Sequence, residues 1–184
     1  MTLVHRYVNS NGFEQIMIVF ADFLKVNFIF YHYNQIYIIF TKERLVMVKE
    51  ELFQLMNENP VLHLATMDGD QPRVRGMLLF RADEDGIIFH RASTKDVYKQ
   101  IQKNPKVELC FQGEGVQVRV TGVLELVEDE ALRVEIFNHP TRKFLPAWKA
   151  QGIDGLLQVF RLKHGTAVTW TMETNFDEKK PIQL

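Results

Sequence analysis

The sequence has a single cysteine, Cys110, in 184 residues. One thiol excludes an intramolecular disulfide and any cysteine-rich zinc site. It also fits a reducing, cytoplasmic setting. The chain has no charge surplus: 22 Lys and Arg against 23 Asp and Glu leave a formal net charge of −1. Neither nucleic acid nor an anionic membrane is therefore an expected partner. Long apolar runs are missing too. A membrane-spanning helix needs about 20 mostly apolar residues, and the most apolar stretch, 16–40, is broken by Asp22, Lys25, Asn27, His32, Asn34 and Gln35. A compact basic start and a small-residue cleavage site, the marks of a secretory signal, are absent. So are a glycine-rich phosphate loop of the Walker or Rossmann pattern and a serine in a nucleophile elbow. The six histidines fall at no metal-ligand spacing, so no metal is expected.

Proline is missing from one quarter of the chain. Residues 1–46 hold none of the 6 prolines but 10 of the 21 aromatics, which sets them apart from the rest. Three readings compete for this segment: a hydrophobic appendage, a degenerate membrane anchor, or upstream non-coding DNA translated in error. Phe, Ile, Tyr, Asn and Lys belong to AT-rich codons. Lys42-Glu43-Arg44 can be encoded by a purine run resembling a bacterial ribosome-binding site, just upstream of Met47. The expectation is a native start at Met47, which an intact mass from the native host tests. The domain itself is then 47–184.

That domain reads as α+β and mainly β. Val48–Asn57 is expected to be a helix stopped by Asn59-Pro60, with Leu52, Phe53, Leu55 and Met56 on one side. Strands are expected at Val61–Met67, Pro72–Arg81, Gly86–Arg91 and Lys106–Phe111. One long strand, Val116–Val127, carries a bulge or bend at Gly122. Ser93 or Thr94 caps a helix running to Asn104, with Val97 and Ile101 as its buried stripe. Glu128–Asn138 is a further helix, and Thr141–Lys149 a short one interrupted by Pro146. Leu156–Leu162 and Thr166–Met172 form a last hairpin, followed by an irregular tail. About seven strands with short connections imply antiparallel pairing. Closure into a barrel is the simplest way to remove the sheet edges.

Two features carry chemistry. Arg73-Val74-Arg75 opens a strand with both arginines on one face. Ser93-Thr94-Lys95 opens a helix, a natural phosphate cradle, and an arginine from the neighbouring strand can reach the same anion. A solvated strand face and ordinary helix capping account for the same residues. Cys110, between Leu109 and Phe111, reads as a core thiol.

Three ordered segments carry a resemblance: Pro72-Arg73-Val74-Arg75-Gly76-Met77, then Ile87 through Lys95, then Asn104-Pro105-Lys106-Val107-Glu108-Leu109-Cys110-Phe111. With the preceding Leu62-His63-Leu64-Ala65-Thr66 strand, they resemble the pyridoxamine 5'-phosphate oxidase-like FMN-binding split barrels from Val48 to Thr171. The resemblance implies a split β-barrel with two to three peripheral helices, and a homodimer with FMN at the subunit interface. It implies that Arg75, Ser93 and Lys95 reach the phosphate, with Thr94 where the oxidases usually carry an arginine. It places Gly76 and Met77 against the flavin ring and His90 near the ribityl-phosphate end. Gln117 crosses to the flavin of the dimer, and Trp170 stands near the ring. The oxidases' arginine-rich C-terminal segment is absent, so vitamin B6 oxidation is not expected. The closer likeness is to the general-stress and nitroimidazole-reductase-like members.

The function expected is an FMN-dependent oxidoreductase reducing a small electrophile such as a nitroaromatic or quinone. NAD(P)H or another reductant would approach the flavin directly. The catalytic residue is unassigned, and His90 is the one titratable candidate. The alternative is a non-enzymatic flavin, heme or deazaflavin binding or sensor protein.

Overall fold

A computed structural model describes residues 47–184 in full. Of residues 1–46 it describes the backbone of four strands. The chain divides into two compact units, Met1–Val46 and Met47–Leu184. In the first, β1 (Thr2–Val8), β2 (Glu14–Asp22), β3 (Lys25–His32) and β4 (Gln35–Thr41) pair in sequence order as an antiparallel sheet. The run from Lys42 to Val46, on which the expected start at Met47 rests, lies outside the described residues.

The second unit is mainly antiparallel sheet. Its strands are β5 (Val61–Asp68), β6 (Gln71–Asp83), β7 (Gly86–Ala92), β8 (Lys106–Gly113), β9 (Val116–Val123), β10 (Glu125–Val127), β11 (Leu157–Leu162), β12 (Gly165–Trp170) and β13 (Ile182–Gln183). They lie in the order β10-β11-β7-β6-β5-β8-β9-β12-β13. Two chain segments serve both halves of this split barrel. The long β6 pairs with β5 through its first part and with β7 through its second, across a bulge between Leu79 and Arg81. The stretch expected as one strand over 116–127 breaks at Leu124. Its side chain is buried and its N–H donates to Pro105 O at 2.9 Å. Beyond the break, β10 pairs with β11 at the far end of the strand order.

Gly122 does not mark that break. It faces Gly165 across the β9–β12 ladder, and Leu162 fills the hollow these two glycines leave. A Cβ on Gly122 would sit 2.9 Å from Leu162 side-chain atoms, and one on Gly165 2.6 Å from its Cδ2. The β8–β9 turn is two residues long, with Glu114 at φ 51° and Gly115 at φ 78°. Both values are positive, the primed geometry that suits the strands' twist.

Four α-helices surround the sheet among the described residues, one or two more than the family resemblance implies and matching the four spans read from the residues. They are α1 (Lys49–Glu58), α2 (Asp96–Lys103), α3 (Glu130–Asn138) and α4 (Leu145–Ala150). The predicted apolar side of α1 and the Val97–Ile101 stripe of α2 are buried with Leu64, Phe89, Leu109, Phe111, Val120 and Phe160 inside the barrel. A second core, with Ile88, Leu132, Ile136, Leu145, Leu157 and Val159, lies under α3 and α4. The tail is not wholly irregular, because Leu184 N–H donates to Gly165 O at 2.9 Å beyond the short β13. No helix among the described residues is long and apolar enough to cross a membrane.

Candidate functional site

The start of β6, the end of β7 and the first turn of α2 meet in an open cleft of about 480 Å³. It is lined by Asp68, Arg73, Arg75, Arg91, Lys95, Asp96, Val97 and Gln100. Four cations against two carboxylates leave a local charge of +2. Asp68 pairs with Arg73, at 3.4 Å.

Arg75 is in register with the interior residue Leu64, so it points to the barrel side of the sheet. Its guanidinium donates to Thr66 Oγ1 at 2.7 Å and to Gln100 Oε1 at 2.8 Å. Thr66 in turn donates to Gln100 Oε1 at 2.8 Å. Thr66 and Gln100 are buried. The strand and helix therefore hold the arginine in place rather than leaving it to solvent. Burial first, then the neighbouring Arg91 and Arg73, lower its pKa from the ordinary arginine value. A guanidinium depressed by neighbouring cations in this way is suited to an anion.

The helix start differs from the expectation in one respect. Lys95, not Ser93 or Thr94, is the N-cap of α2, and no side chain caps it. The first N–H groups of α2 are thus free of side-chain acceptors, and neither hydroxyl is spent on them. Lys95 lines the cleft, while Ser93 and Thr94 lie in the turn just before it. The Nε of Arg91 is buried with no hydrogen-bond partner among the described residues.

His90 lies elsewhere. Phe89 belongs to the barrel core and Ile88 to the core under α3 and α4. Strand alternation sends His90 with Ile88, away from the cleft. Its Nε2 accepts from Arg142 Nε at 3.0 Å. Burial first, then the charges of Arg142 and Arg91, lower its pKa to about 4. His90 thus does not line the cleft within one chain.

Of the remaining expected residues, only Met77 shares the barrel side with Arg75. Gly76 is exposed, with open space where a Cβ would point, and the side chain of Met77 is in the core. Gln117 and Trp170 are register partners on β9 and β12. With Arg119 they line a second groove of about 360 Å³. Trp170 Nε1 donates to Asn175 Oδ1 at 2.9 Å. Leu64, Leu109 and Val120 align Arg75 with Val120 across three strand steps, roughly 14 Å. Gln117 is three residues further along and on the opposite face, so the structure does not bring Arg75 and Gln117 together within one chain. Among the described residues, no cluster of His, Cys, Asp and Glu is placed to hold a metal ion.

Residues 48–171 match the sequence family described as pyridoxamine 5'-phosphate oxidase. The chain belongs to that family. Curated relatives include pyridoxine/pyridoxamine 5'-phosphate oxidases from a Bradyrhizobium species, 32% identical over 117 residues, and from Brucella anthropi, 31% identical over 114 residues. These alignments cover 61% and 60% of this chain but only 53% and 56% of those proteins. Among solved structures, a NimC/NimA family protein from Clostridium acetobutylicum superimposes with a TM-score of 0.57 at 25% identity. It covers 73% of this chain and 92% of that one. General Stress Protein 26 from Bacillus anthracis gives 0.59 at 17% identity, covering 74% and 98%. A pyridoxamine 5'-phosphate oxidase-related, FMN-binding protein from Nostoc punctiforme gives 0.51 at 16%, covering 74% and 96%. Within this family, Thr66, Arg91, Gln100 and Arg142 are the residues that sequence reasoning passed over. Two left a signal. Gln100 is the polar residue beside the Val97–Ile101 stripe, and Arg91 follows Phe89 on the inward face of β7.

Proposed function

We propose that the protein binds FMN and, as a homodimer, reduces a small electrophile such as a nitroaromatic or quinone. The observation that carries this reading is the cleft of charge +2 at the first turn of α2. Its charge matches a phosphate monoester dianion, and uncapped helix N–H groups add donors for it. Arg75, Ser93, Thr94 and Lys95 would hold the phosphate. The open backbone at Gly76, with Met77 beside it, suits the approach of a flat ring. When bound, the flavin supplies the electron transfer, while the protein supplies binding, orientation and electrostatics.

The homodimer is supported by the separation of Arg75 from Gln117. One small molecule cannot touch both through the sheet, so Gln117 and Trp170 would come from a second copy. The outer sheet face carries exposed Val61, Val74 and Leu78, in the register Val61↔Leu78 and Ala65↔Val74. Apolar residues on an uncovered face suit such an interface. The single thiol agrees with a cytoplasmic location.

One observation favours the non-enzymatic reading, a flavin store or sensor: His90, the titratable candidate, is committed to Arg142. Anaerobic addition of NAD(P)H and then a nitroaromatic separates the two. Bleaching of the bound flavin followed by acceptor-driven recovery supports the enzyme. Stable bleaching, or none, supports the binder. A protein that takes up no FMN defeats the FMN enzyme and leaves only heme or deazaflavin binding.

A further inference from the structure

We infer that Arg91 is the principal uncommitted phosphate donor of the cleft. By this inference it supplies from strand β7 the charge that the family resemblance expects at Thr94. The inference rests on the FMN reading and deepens it by naming the residue that selects a phosphorylated flavin.

The four cations of the cleft are not equivalent. Arg73 is drawn to Asp68, at 3.4 Å. Arg75 is braced by Thr66 and Gln100. Lys95 is exposed on the turn. Arg91 alone of the four has a buried nitrogen with no partner, since its Nε is enclosed and makes no hydrogen bond among the described residues. That Nε–H is closed to solvent, but no hydrogen bond or ion pair among the described residues ties the guanidinium down, so its terminal N–H groups remain for an acceptor in the cleft it lines. An anionic acceptor suits the position best. Arg91 stands among the causes that lower the pKa of Arg75, so the two guanidinium groups repel each other across the space they share. An anion between them offsets that repulsion and accepts from the terminal N–H groups of Arg91.

The backbone explains the position. Arg91 is the last inward-facing residue of β7, two after Phe89, and Gln158 is its register partner on β11. A residue paired in a ladder is more rigid than a turn residue. A planar, rigid fork on it approaches a phosphate with less ordering to do. Thr94 sits three residues later in the exposed turn. Moving the charge from turn to strand keeps the cleft at +2 while freeing the turn of a long side chain. Removal of Arg91 therefore costs the phosphate and spares the ring.

Fluorescence titration of the full chain with FMN and with riboflavin reads this directly. Wild type binds FMN more tightly than riboflavin. Arg91→Met loses about 10- to 100-fold in FMN affinity with riboflavin affinity unchanged, and unchanged riboflavin binding shows that the variant is folded. Arg91→Lys, which keeps the charge and loses the fork, falls between the two. Adding Thr94→Arg to Arg91→Met restores FMN affinity by about 10-fold or more. Arg91→Met that binds FMN as tightly as wild type, or that loses both flavins equally, overturns the role of Arg91. A double variant that stays weak overturns the exchange of positions. A wild type that binds neither flavin overturns the FMN reading itself and this inference with it.

Discussion

Arg142 donates its Nε–H to Nε2 of His90 at 3.0 Å. Arg142 is only 3% exposed. Its other donors go to the Leu79 carbonyl and to Thr141 Oγ1, and its guanidinium lies over the Phe80 ring at 5.7 Å. Leu79 stands at the β6 bulge. One buried cation thus ties the α3–α4 connection to the sheet through neutral acceptors. It also fixes His90 as an unprotonated acceptor, which removes that residue from acid–base work.

This contact makes stability depend on pH. The ordinary value for His90 is 6.5 and its folded value about 4. The unfolded chain therefore binds the proton first as pH falls. The stabilising contribution is complete above 6.5 and is lost between 6.5 and 4. Its size is about 3 kcal/mol. Denaturant unfolding across that window is expected to show the loss, and His90→Gln to flatten the slope whatever its absolute stability.

Arg142→Ala leaves the Leu79 carbonyl without its donor and opens a cavity under α4. A stability loss of about 2–4 kcal/mol is expected by chemical denaturation. The His90 pKa, followed by NMR, is expected to rise toward 6.5 as the neighbouring charge disappears. An unchanged titration would contradict the account of that shift.

Leu162 and its two glycines make a packing test. Gly122→Ala drives a methyl group against a fully buried side chain, costing about 1–3 kcal/mol. Leu162→Ala alone costs about 2–5 kcal/mol. Combined, the two are expected to cost less than their sum, because the methyl then occupies vacated space. Strict additivity in thermal or denaturant unfolding would contradict the proposed contact.

Gln100 positions Arg75. Gln100→Glu adds a carboxylate beside the guanidinium and reduces the cleft from +2 to +1. FMN affinity is expected to fall about tenfold or more, with riboflavin binding retained. Equal FMN affinity in the variant would show that Arg75 does not meet the phosphate.

Legibility in the sequence follows contact range. Val116, Val118 and Val120 against Gln117, Arg119 and Thr121 state a strand and its faces by alternation alone. Val97 and Ile101 state the buried side of α2. Gly122 shows its limit. The glycine was visible, but its reason is Leu162, forty residues away, and no local pattern names that partner. The break at Leu124 depends in the same way on the Pro105 carbonyl. In the site, Arg75 and Lys95 were readable because a strand and a helix start carry them. Arg142 was not, because Lys143 beside it is exposed and nothing local marks one of the two as buried. The face of His90 follows from the alternation of β7, but its partner Arg142, 52 residues away, has no local mark.

The central claim is that the cleft between β6, β7 and α2 holds a flavin by its phosphate. Equilibrium dialysis of the purified full chain against FMN and riboflavin tests it most directly. The account predicts one FMN per chain and riboflavin held at least about tenfold more weakly, with the difference narrowing as salt rises. Equal affinity for the two flavins at all salt concentrations, or uptake of neither, would contradict it.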